Sequence, residues 1–587
     1  MAAEPQPLPR ERDRAETPPR HGAPGCRRPR RRGAVSPPAV QAALAAALAA
    51  LAWLAWTAAH GFTVGNDSIF YAALAAGFDS GHPFTGTVYW LNAQPGRLQA
   101  IWPPLYPALV AGVHALGPTL ARSEWVVDGA GYVASVALGL AALRVAAGRL
   151  PWAAFLLAAV WPAGLFVAGA GWSEPVLLAA LGAHFWLAAR SARAGDRDRA
   201  RTRLLFVQGV AAGLGFLARY AAAPFLVTAV LWGPALEVAR PARGGRTRDL
   251  RAGALRAALP GLAGVALPVV PWIAAAWIGA GQVGATYLAP GDGLLGALRA
   301  AFHALLADGL GLYVAPPAAR GTHAAALIGL ALAVVIAMPT AAAVLLARRG
   351  DRPAGAASAA RPLWLLCGLL VADGALYTAF LVVIRARYFF DQIGVRLMLP
   401  ALFPLLLAAI GVAALLPGRL ARTAWLGPAC LLALWTAGQA SAAAVLHPDL
   451  SASMSAAPCR PGPQGDCRLL SWLGEHTDPS TLIVSNAAFP IWFTTGRPVE
   501  VVASYPYAPY VTAREVAAWT RRWNEFEPHA EVLLVLDGSG GWLGGVGRLF
   551  GPYVAGAWRG SAAAPPVGLG AQPLVAGPEY RVWRLSA

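Results

Sequence analysis

The sequence predicts an α-helical polytopic membrane protein with about 11 transmembrane helices and a small C-terminal α/β domain outside the membrane. Of its 587 residues, 57% are hydrophobic and 13% are charged, whereas about a quarter of the residues of a soluble domain are charged. The apolar residues form stretches of about 20, the length that a helix needs to cross a hydrocarbon core of about 30 Å. After residue 446 the sequence becomes mixed and polar, which indicates a separate domain in water.

Eleven apolar segments are candidate spans, and one further segment is too short to cross the membrane. The candidate spans are residues 39–59, 125–143, 150–170, 174–189, 204–218, 221–236, 258–280, 324–347, 362–383, 397–416 and 424–446. The short segment is Leu105–Gly117, whose 13 residues extend over about 20 Å as a helix. We expect it to form a helix that lies along the membrane interface or dips into it.

The distribution of arginine predicts how the chain is threaded, because loops that stay in the cytoplasm are enriched in basic residues. With the amino terminus inside, the cytoplasmic tail and loops hold 29 of the 47 arginines, and the outer loops hold 8. This predicts a multi-pass protein of the cell membrane with a disordered basic cytoplasmic tail (1–37), a transmembrane domain (38–446) with a long first outer loop (60–124), and an extracytoplasmic α/β domain (447–587). The formal charge of +18 therefore reflects membrane topology and does not indicate nucleic-acid binding.

Two acidic residues are predicted at the outer ends of spans. Asp67 lies just after the first span, and Glu174 opens a later span within Trp172-Ser173-Glu174-Pro175. Each has a structural explanation, with Asp67 or Ser173 as a helix N-cap and Glu174 favouring the helix dipole. The functional alternative is that Asp67 is a general base and Glu174 a second acid, because a carboxylate at that depth is costly unless it is paired or hydrated.

Outer-side arginines are few in this sequence and form a second set of candidates. Arg219 precedes Tyr220, Arg387 lies four residues before Asp391, and Arg396 opens an Arg-Leu-Met-Leu-Pro run. Any one of these arginines can reach lipid headgroups, or pair with Asp391. Together they can hold a phosphate, because a guanidinium bonds two phosphate oxygens at once.

Other polar residues are left without a functional role. Asp128 and Asp373 lie within predicted spans, either as partnered structural residues or as part of a polar cavity. His184 is interpreted as a hydrogen-bonded core histidine. The five cysteines show no metal-ligand spacing, and Cys459 and Cys467 flank a turn-rich run on the predicted outer side, where an oxidising compartment would join them in a disulfide.

The last part of the chain alternates strand and helix patterns. Apolar runs at Thr481–Ser485, Val499–Ala503 and Glu531–Leu536 predict strands, and Thr512–Phe526 has a helical pattern. This alternation is typical of an α/β domain. Its role is either to shield the outer face of the membrane domain or to recognise an acceptor.

Five motifs resemble those of the polytopic glycosyltransferases of the GT-C class, which includes the protein O-mannosyltransferases and the lipid A aminoarabinose transferase. The motifs are Asp67 in the long first loop, Pro103–Pro107, Ser173–Pro175, Leu217–Tyr220 and Arg396–Pro400, and in order and spacing they cover about the first 410 residues.

This resemblance implies that a sugar is moved from a polyprenyl-phosphate-linked donor to an acceptor at the outer membrane face. Asp67 matches the catalytic position of the first loop, and Glu174 matches the position of a second acid. Tyr106, within the Pro-Pro-Leu-Tyr-Pro stretch, and Tyr220 join the outer arginines as substrate-binding candidates. The implied partners are the lipid-linked donor and membrane lipids, whereas the acceptor is left open among glycan, lipid and protein.

The resemblance leaves the cofactor open. Asp67 lacks the adjacent acid that some members of the class have, and the nearest carboxylate of the same loop is Asp79. No cofactor is certain, and a divalent metal remains possible. Two other functions stay open as well: a transporter or flippase of lipid-linked glycans that uses the same acids as coupling sites, and a non-catalytic membrane scaffold.

Overall fold

A computed structural model of the chain describes most of the helical region and parts of the C-terminal region. The described residues are 37–62, 66–89, 96–148, 150, 152–194, 198–239, 250–281, 283–284, 291, 293–305, 354–388, 394–414, 467–485, 488–501, 521, 524, 531–537, 571–576 and 580–585. The predicted spans at 324–347 and 424–446 and the predicted helix at 512–526 lie outside these residues or almost entirely so, as does Cys459 of the predicted disulfide.

Helices make up most of the described chain. They are α1 (Pro37–His60), α2 (Asn66–Asp79), α3 (Leu105–His114), α4 (Leu120–Ala147), α5 (Trp152–Ala159), α6 (Pro162–Ala168), α7 (Glu174–Arg193), α8 (Asp198–Ala218), a 3₁₀ turn (Tyr220–Ala222), α9 (Ala223–Val238), α10 (Leu250–Ala280), α11 (Gly293–His303), α12 (Ala354–Arg387), α13 (Val395–Ala413), α14 (Cys467–His476) and α15 (Ala488–Thr495).

Seven helical segments of the described chain are long and apolar enough to cross a membrane. They are Val40–Ala59, Leu120–Ala147, Glu174–Arg193, Tyr220–Val238, Arg251–Ala280, Ala360–Arg387 and Val395–Ala413. Each overlaps one predicted span, so the chain is a multi-pass membrane protein. The predicted total of eleven spans remains a prediction.

One predicted span is wrong as a single helix. Residues 150–170 form two short helices, α5 and α6, that are separated at Val160 and Trp161. Pro162 has no N–H to donate to the preceding turn, and a proline disfavours the helical conformation of the residue before it. Trp161 accordingly has an extended backbone, with φ −64° and ψ 113°. By contrast, the predicted short helix at Leu105–Gly117 is confirmed as the ten-residue helix α3.

Close packing between α4 and α7 fixes the start of α7. A Cβ atom on Gly131 would lie 2.8 Å from the backbone carbonyl carbon of Pro175, and one on Gly182 would lie 3.0 Å from Cβ of Leu138. Small residues allow such backbone approach between membrane helices. The first turn of α7, which contains Glu174, is thereby held against the middle of α4.

Six described strands form one sheet. The strands are β1 (Val88–Tyr89), β2 (Leu482–Ser485), β3 (Val499–Val501), β4 (Val532–Asp537), β5 (Ala571–Ala576) and β6 (Tyr580–Leu585). Their order is β1-β3-β2-β4-β6-β5; the first three pairings are parallel, and β6 is antiparallel to both neighbours. The three strands predicted after residue 446 are therefore present. The edge strand β1 comes instead from the first loop, so the sheet is not built from the C-terminal region alone.

Helix α2 lies between the core of the helical bundle and the core beside the sheet. Tyr71 and Ala75 belong to the bundle core. Ile69, Phe70 and Ala73 belong to a second core with buried residues of the sheet and of α14 and α15. We call the side of the bundle on which α2 lies the sheet side.

Candidate active site

Four charged side chains that the sequence singled out meet at helix ends on the sheet side of the bundle. Asp67 lies in the first turn of α2, and Glu174 is the first residue of α7. Arg219 lies between α8 and the 3₁₀ turn that leads into α9, and Arg396 is the second residue of α13. The four residues come from distant parts of the chain, and the fold brings them together. We call them the four-residue charge cluster.

Arg396 joins the two acids of the charge cluster. Its Nε donates a hydrogen bond to Oε1 of Glu174 at 2.8 Å, and its Nη2 pairs with Oδ2 of Asp67. Nη1 of Arg219 lies 2.6 Å from the same Oε1 of Glu174. Two carboxylates are therefore balanced by two guanidinium groups. Because a charge at such depth is costly unless it is paired, this pairing explains how the fully buried Glu174 is accommodated.

The ring of Trp172 contacts the guanidinium group of Arg396 and helps to orient it. The guanidinium carbon of Arg396 lies 4.7 Å from the centroid of the Trp172 ring, which is the geometry of a cation–π contact. The backbone N–H of Trp172 donates to Oδ2 of Asp128 at 3.2 Å. The Trp-Ser-Glu turn before α7 is thus held by α4 and in turn supports the arginine.

The helix-cap explanation for Ser173 is not supported. Ser173 has a helical backbone conformation and makes no side-chain cap hydrogen bond. Its hydroxyl instead lies 3.0 Å from the hydroxyl of Tyr71 on α2. Ser68, also on α2, donates to the carbonyl oxygen of Gly171 at 2.7 Å. These two hydrogen bonds fasten α2 to the turn that precedes Glu174.

Buried polar residues lie behind the charge cluster. The Tyr106 hydroxyl donates to Oδ1 of Asp128 at 2.8 Å, so Asp128 is a partnered residue. Burial raises the pKa of Tyr106 well above its usual range, and burial likewise raises the pKa of Tyr71 despite the opposing effect of nearby Arg219. Both tyrosines therefore stay neutral hydroxyl groups. Tyr106 supports Asp128, one step removed from the cluster.

Glu124 is a buried acid of this region that sequence reasoning missed. It is fully buried on α4, and neither of its carboxylate oxygens has a hydrogen-bond partner within the described chain. Glu124 lies four residues before Asp128, so the two acids share one face of the helix. That spacing in Ser-Glu-Trp-Val-Val-Asp was a usable signal, but the predicted span began at residue 125 and left Glu124 outside it.

Two other candidates make contacts away from the cluster or are exposed, and a third is not described. The Tyr220 hydroxyl donates to the carbonyl oxygen of Ala100 at 3.0 Å and accepts from Nε1 of Trp272 at 2.8 Å, so it ties the first loop to α10. Arg387 is exposed at the end of α12. Asp391 lies outside the described residues.

Two further acids serve other contacts. Asp79, at the far end of α2, lies 3.1 Å from Nε2 of His114 and is mostly exposed. Asp373 and His184 face each other inside the bundle, with Oδ2 and Nε2 3.7 Å apart and both side chains fully buried. His184 is a core histidine as expected, although neither ring nitrogen has a hydrogen-bond partner among the described residues.

The cluster alone does not define a metal site. No group of three or more His, Cys, Asp or Glu side chains positioned to hold a metal occurs in the described part of the chain. Asp67 and Glu174 both face arginine, which competes with a cation for their oxygens. A metal requirement therefore stays open.

The chain has a GT-C-like fold, similar to that of solved structures of ArnT. Two crystal structures of ArnT from Cupriavidus metallidurans are similar: the one bound to undecaprenyl phosphate has a TM-score of 0.54 and 13% identity, and the apo structure has 0.53 and 12%. Both comparisons cover 93% of this chain and 98% of the ArnT chain. Arabinofuranosyltransferase AftD from Mycobacteria aligns at a TM-score of 0.46 and 16% identity over 93% of this chain and 40% of its own. No family model and no curated protein sequence matches the chain.

Proposed function

We propose that this protein transfers a sugar from a polyprenyl-phosphate-linked donor to an acceptor at the outer face of the membrane. The observation that carries the proposal is the charge cluster: two acids and two arginines from four separate elements meet at helix ends on the sheet side of the bundle. That combination matches what transfer from a lipid phosphate requires. The reaction needs a carboxylate to accept a proton and cations to stabilise the departing phosphate.

Asp67 is the proposed general base. An acceptor hydroxyl or amine loses a proton as it attacks the anomeric carbon, and a carboxylate within hydrogen-bond reach can take that proton. Asp67 is partly exposed, whereas Glu174 is fully buried. The more accessible carboxylate is therefore assigned to the acceptor, and Glu174 is assigned to holding the two arginines and orienting the sugar.

Arg219 and Arg396 are the proposed phosphate contacts. A guanidinium has five N–H donors, so it can bond a carboxylate and a phosphate at the same time. On this mechanism the donor phosphate draws Arg396 from Asp67 as it binds, and the carboxylate becomes available as a base when the donor is in place. Arg387, the last residue of α12, and Asp391, which precedes Arg396 in the chain, are proposed to contact the donor headgroup.

The lipid-linked donor and the sidedness are part of the proposal. ArnT, whose fold is similar, has been crystallised with undecaprenyl phosphate, and a donor of this kind reaches a site at the membrane surface without leaving the bilayer. The predicted topology places the sheet side outside the cytoplasm. We propose that residues 447–587 form an extracytoplasmic domain on that side.

The test is donor consumption by the purified protein. The full-length protein in nanodiscs is incubated with a panel of radiolabelled polyprenyl-phosphate sugars and an envelope lipid and glycan extract as the acceptor source. We expect one donor to be converted to free polyprenyl phosphate with its label moved to the extract, and Asp67→Asn to lower the rate of transfer about 100-fold or more. In a parallel assay with the protein in sealed vesicles, movement of the intact labelled donor across the membrane without cleavage would instead support the transporter function.

A further inference from the structure

The C-terminal part of the sheet and the helix that carries Asp67 are joined by contacts that the transfer mechanism does not yet use. Helix α2 contributes Ile69, Phe70, Ala72 and Ala73 to the core that it shares with the sheet, and each of these side chains is buried. Ile491 and Trp492 of α15 belong to the same core. One face of α2 is therefore covered by residues that follow it by more than 390 positions in the chain.

The strand after α2 strengthens this connection. Strand β1 pairs in parallel with β3, with Val88 opposite Val499. Nε1 of Trp492 donates to the hydroxyl of Thr87 at 2.9 Å, and the backbone N–H of Val499 donates to the carbonyl oxygen of Thr87, also at 2.9 Å. Thr87 is thus fastened to the C-terminal region by its side chain and its backbone.

The turn between α2 and β1 is compact, so the position of one element constrains that of the other. A Cβ atom on Gly77 would lie 2.7 Å from the carbonyl oxygens of both His82 and Thr85, and one on Gly86 would lie 3.4 Å from Ala73. The backbone N–H of His82 also donates to the carbonyl oxygen of Gly77 at 2.8 Å. We therefore expect a displacement at Thr87 to shift α2 as well.

We propose that Trp492 is a positioning residue for Asp67: by holding Thr87 and packing against α2, it sets the place of the Asp67 carboxylate against Arg396 and Glu174. The inference rests on the proposed function and gives the C-terminal region a part in the active site. Asp67 is held from one side by the hydrogen bonds of α2 to Ser173 and Gly171, and from the other side by Trp492 and its neighbours.

The substitution Trp492→Phe tests the proposal together with Thr87→Val, which removes the acceptor hydroxyl and leaves the Trp492 ring in place. Phenylalanine keeps an aromatic ring against α2 and removes the N–H that Thr87 accepts. We expect kcat for donor consumption to fall about 3- to 10-fold, as for the loss of one hydrogen bond, with the KM for the donor within about 2-fold. Thr87→Val should have the same effect, and Thr87→Ser, which keeps the acceptor hydroxyl, should restore turnover.

Trp583→Phe is the matched control. Trp583 is fully buried on β6, but its side chain alternates with that of Val582 and so points to the face of the sheet away from the core shared with α2. We expect the Trp583→Phe substitution to lower the melting temperature without changing kcat. Equal losses of kcat in the Trp492 and Trp583 variants would overturn the proposal, because general damage to the sheet would then explain both.

A double variant and an exchange measurement complete the test. If Trp492 acts through Asp67, adding Trp492→Phe to Asp67→Asn leaves the residual turnover unchanged, whereas a further 3- to 10-fold loss contradicts the proposal. Hydrogen–deuterium exchange does not depend on activity: Trp492→Phe should speed exchange about 3- to 10-fold over residues 66–79, and Trp583→Phe should not. No transfer by the wild type would refute the proposed function, and unchanged exchange in α2 would refute the positioning role.

Discussion

Arg396 and Glu174 are 222 positions apart in the sequence and are joined by a hydrogen bond of 2.8 Å from Nε to Oε1. The same guanidinium pairs through Nη2 with Asp67. Because Nε and Nη2 lie on one edge of the planar group, a single side chain fixes the separation of the two carboxylates. The geometry of the site therefore depends on the shape of arginine as well as on its charge.

The first prediction is that Arg396→Lys impairs transfer although the charge is kept. An ammonium group is a point charge on a flexible stem and cannot reproduce the two-atom edge that meets Glu174 and Asp67. Loss of a charged hydrogen bond costs about 1.5–3 kcal/mol, so we expect kcat/KM for the donor to fall roughly 10- to 100-fold.

The matched control is Arg193→Lys, at the opposite end of the helix that Glu174 begins. Arg193 donates a hydrogen bond to the carbonyl oxygen of Ala146 at 3.1 Å and does not belong to the charge cluster. Steady-state kinetics should show near wild-type values for this variant. Wild-type kcat/KM in Arg396→Lys would show that the edge geometry is not needed.

The second prediction compares Asp67→Asn with Asp79→Asn on the same helix. Asparagine keeps the shape of aspartate but cannot accept a proton, so we expect turnover to fall about 100-fold or more at position 67. Asp79 pairs with His114 at 3.1 Å and lies twelve residues further along α2, about 18 Å away at 1.5 Å per residue. Its substitution should change turnover less than about 2-fold, as for an exposed ion pair.

Protein yield, membrane insertion and thermal stability must be measured with turnover for both variants. If Asp67→Asn turned over donor at a near-normal rate while folded, Asp67 would not be the base, and Glu174 would become the candidate.

The sequence identified the members of the charge cluster but not their pairing. Asp67, Glu174, Arg219 and Arg396 each stood out because a charged residue at the predicted outer end of an apolar segment is costly unless it is paired, hydrated or functional. Which acid meets which arginine depends on the packing of four distant elements. Asp67 and Arg396 are 329 positions apart, and no local pattern encodes that distance.

Other features were missed because they depend on tertiary contacts or on a boundary. Strand β1 has two residues and gains its partner from Val499 and Glu500, far along the chain, so no periodicity could show it. Glu124 was missed because the predicted apolar span begins at residue 125, one residue after it. The break at Pro162 could have been predicted, since proline disfavours a continuous helix, but the hydrophobicity of residues 150–170 outweighed it.

The third prediction concerns pH. Burial raises the pKa of Tyr71 above its usual range, so the hydroxyl stays protonated where an exposed tyrosine would ionise, at about pH 10. We expect Tyr71→Phe to lower kcat about 2- to 10-fold through the lost contact with Ser173 and to leave the shape of the pH–rate profile unchanged below pH 10. An alkaline limb that disappears in Tyr71→Phe would contradict this.

The raised pKa of Tyr71 also makes the free energy of unfolding depend on pH. Above about pH 10 the unfolded chain loses the tyrosine proton while folded Tyr71 retains it, so stability falls as pH rises through that value. Tyr71→Phe should therefore lose less stability than the wild type between about pH 9 and pH 11 in thermal melts.

The fourth prediction is a disulfide between Cys459 and Cys467 if the C-terminal region faces an oxidising compartment. The small loop between them would contribute about 2–3 kcal/mol at most by the chain-entropy model. Mass spectrometry of protein alkylated in intact membranes should recover the two cysteines as one cross-linked peptide. Two alkylated thiols would contradict either the pairing or the sidedness.

The last prediction is that the amino terminus is cytoplasmic and that the chain after residue 446 is external. It rests on the 29 arginines on one side against 8 on the other, because positively charged loops are retained in the cytoplasm. Alkaline phosphatase, which is active when exported, should be active when fused after residue 587 and inactive when fused within residues 240–249. A cytosolic reporter such as β-galactosidase should give the reverse pattern at the same two positions. Inactive phosphatase at residue 587 together with active phosphatase in the arginine-rich loop would invert the threading and place the charge cluster on the cytoplasmic side.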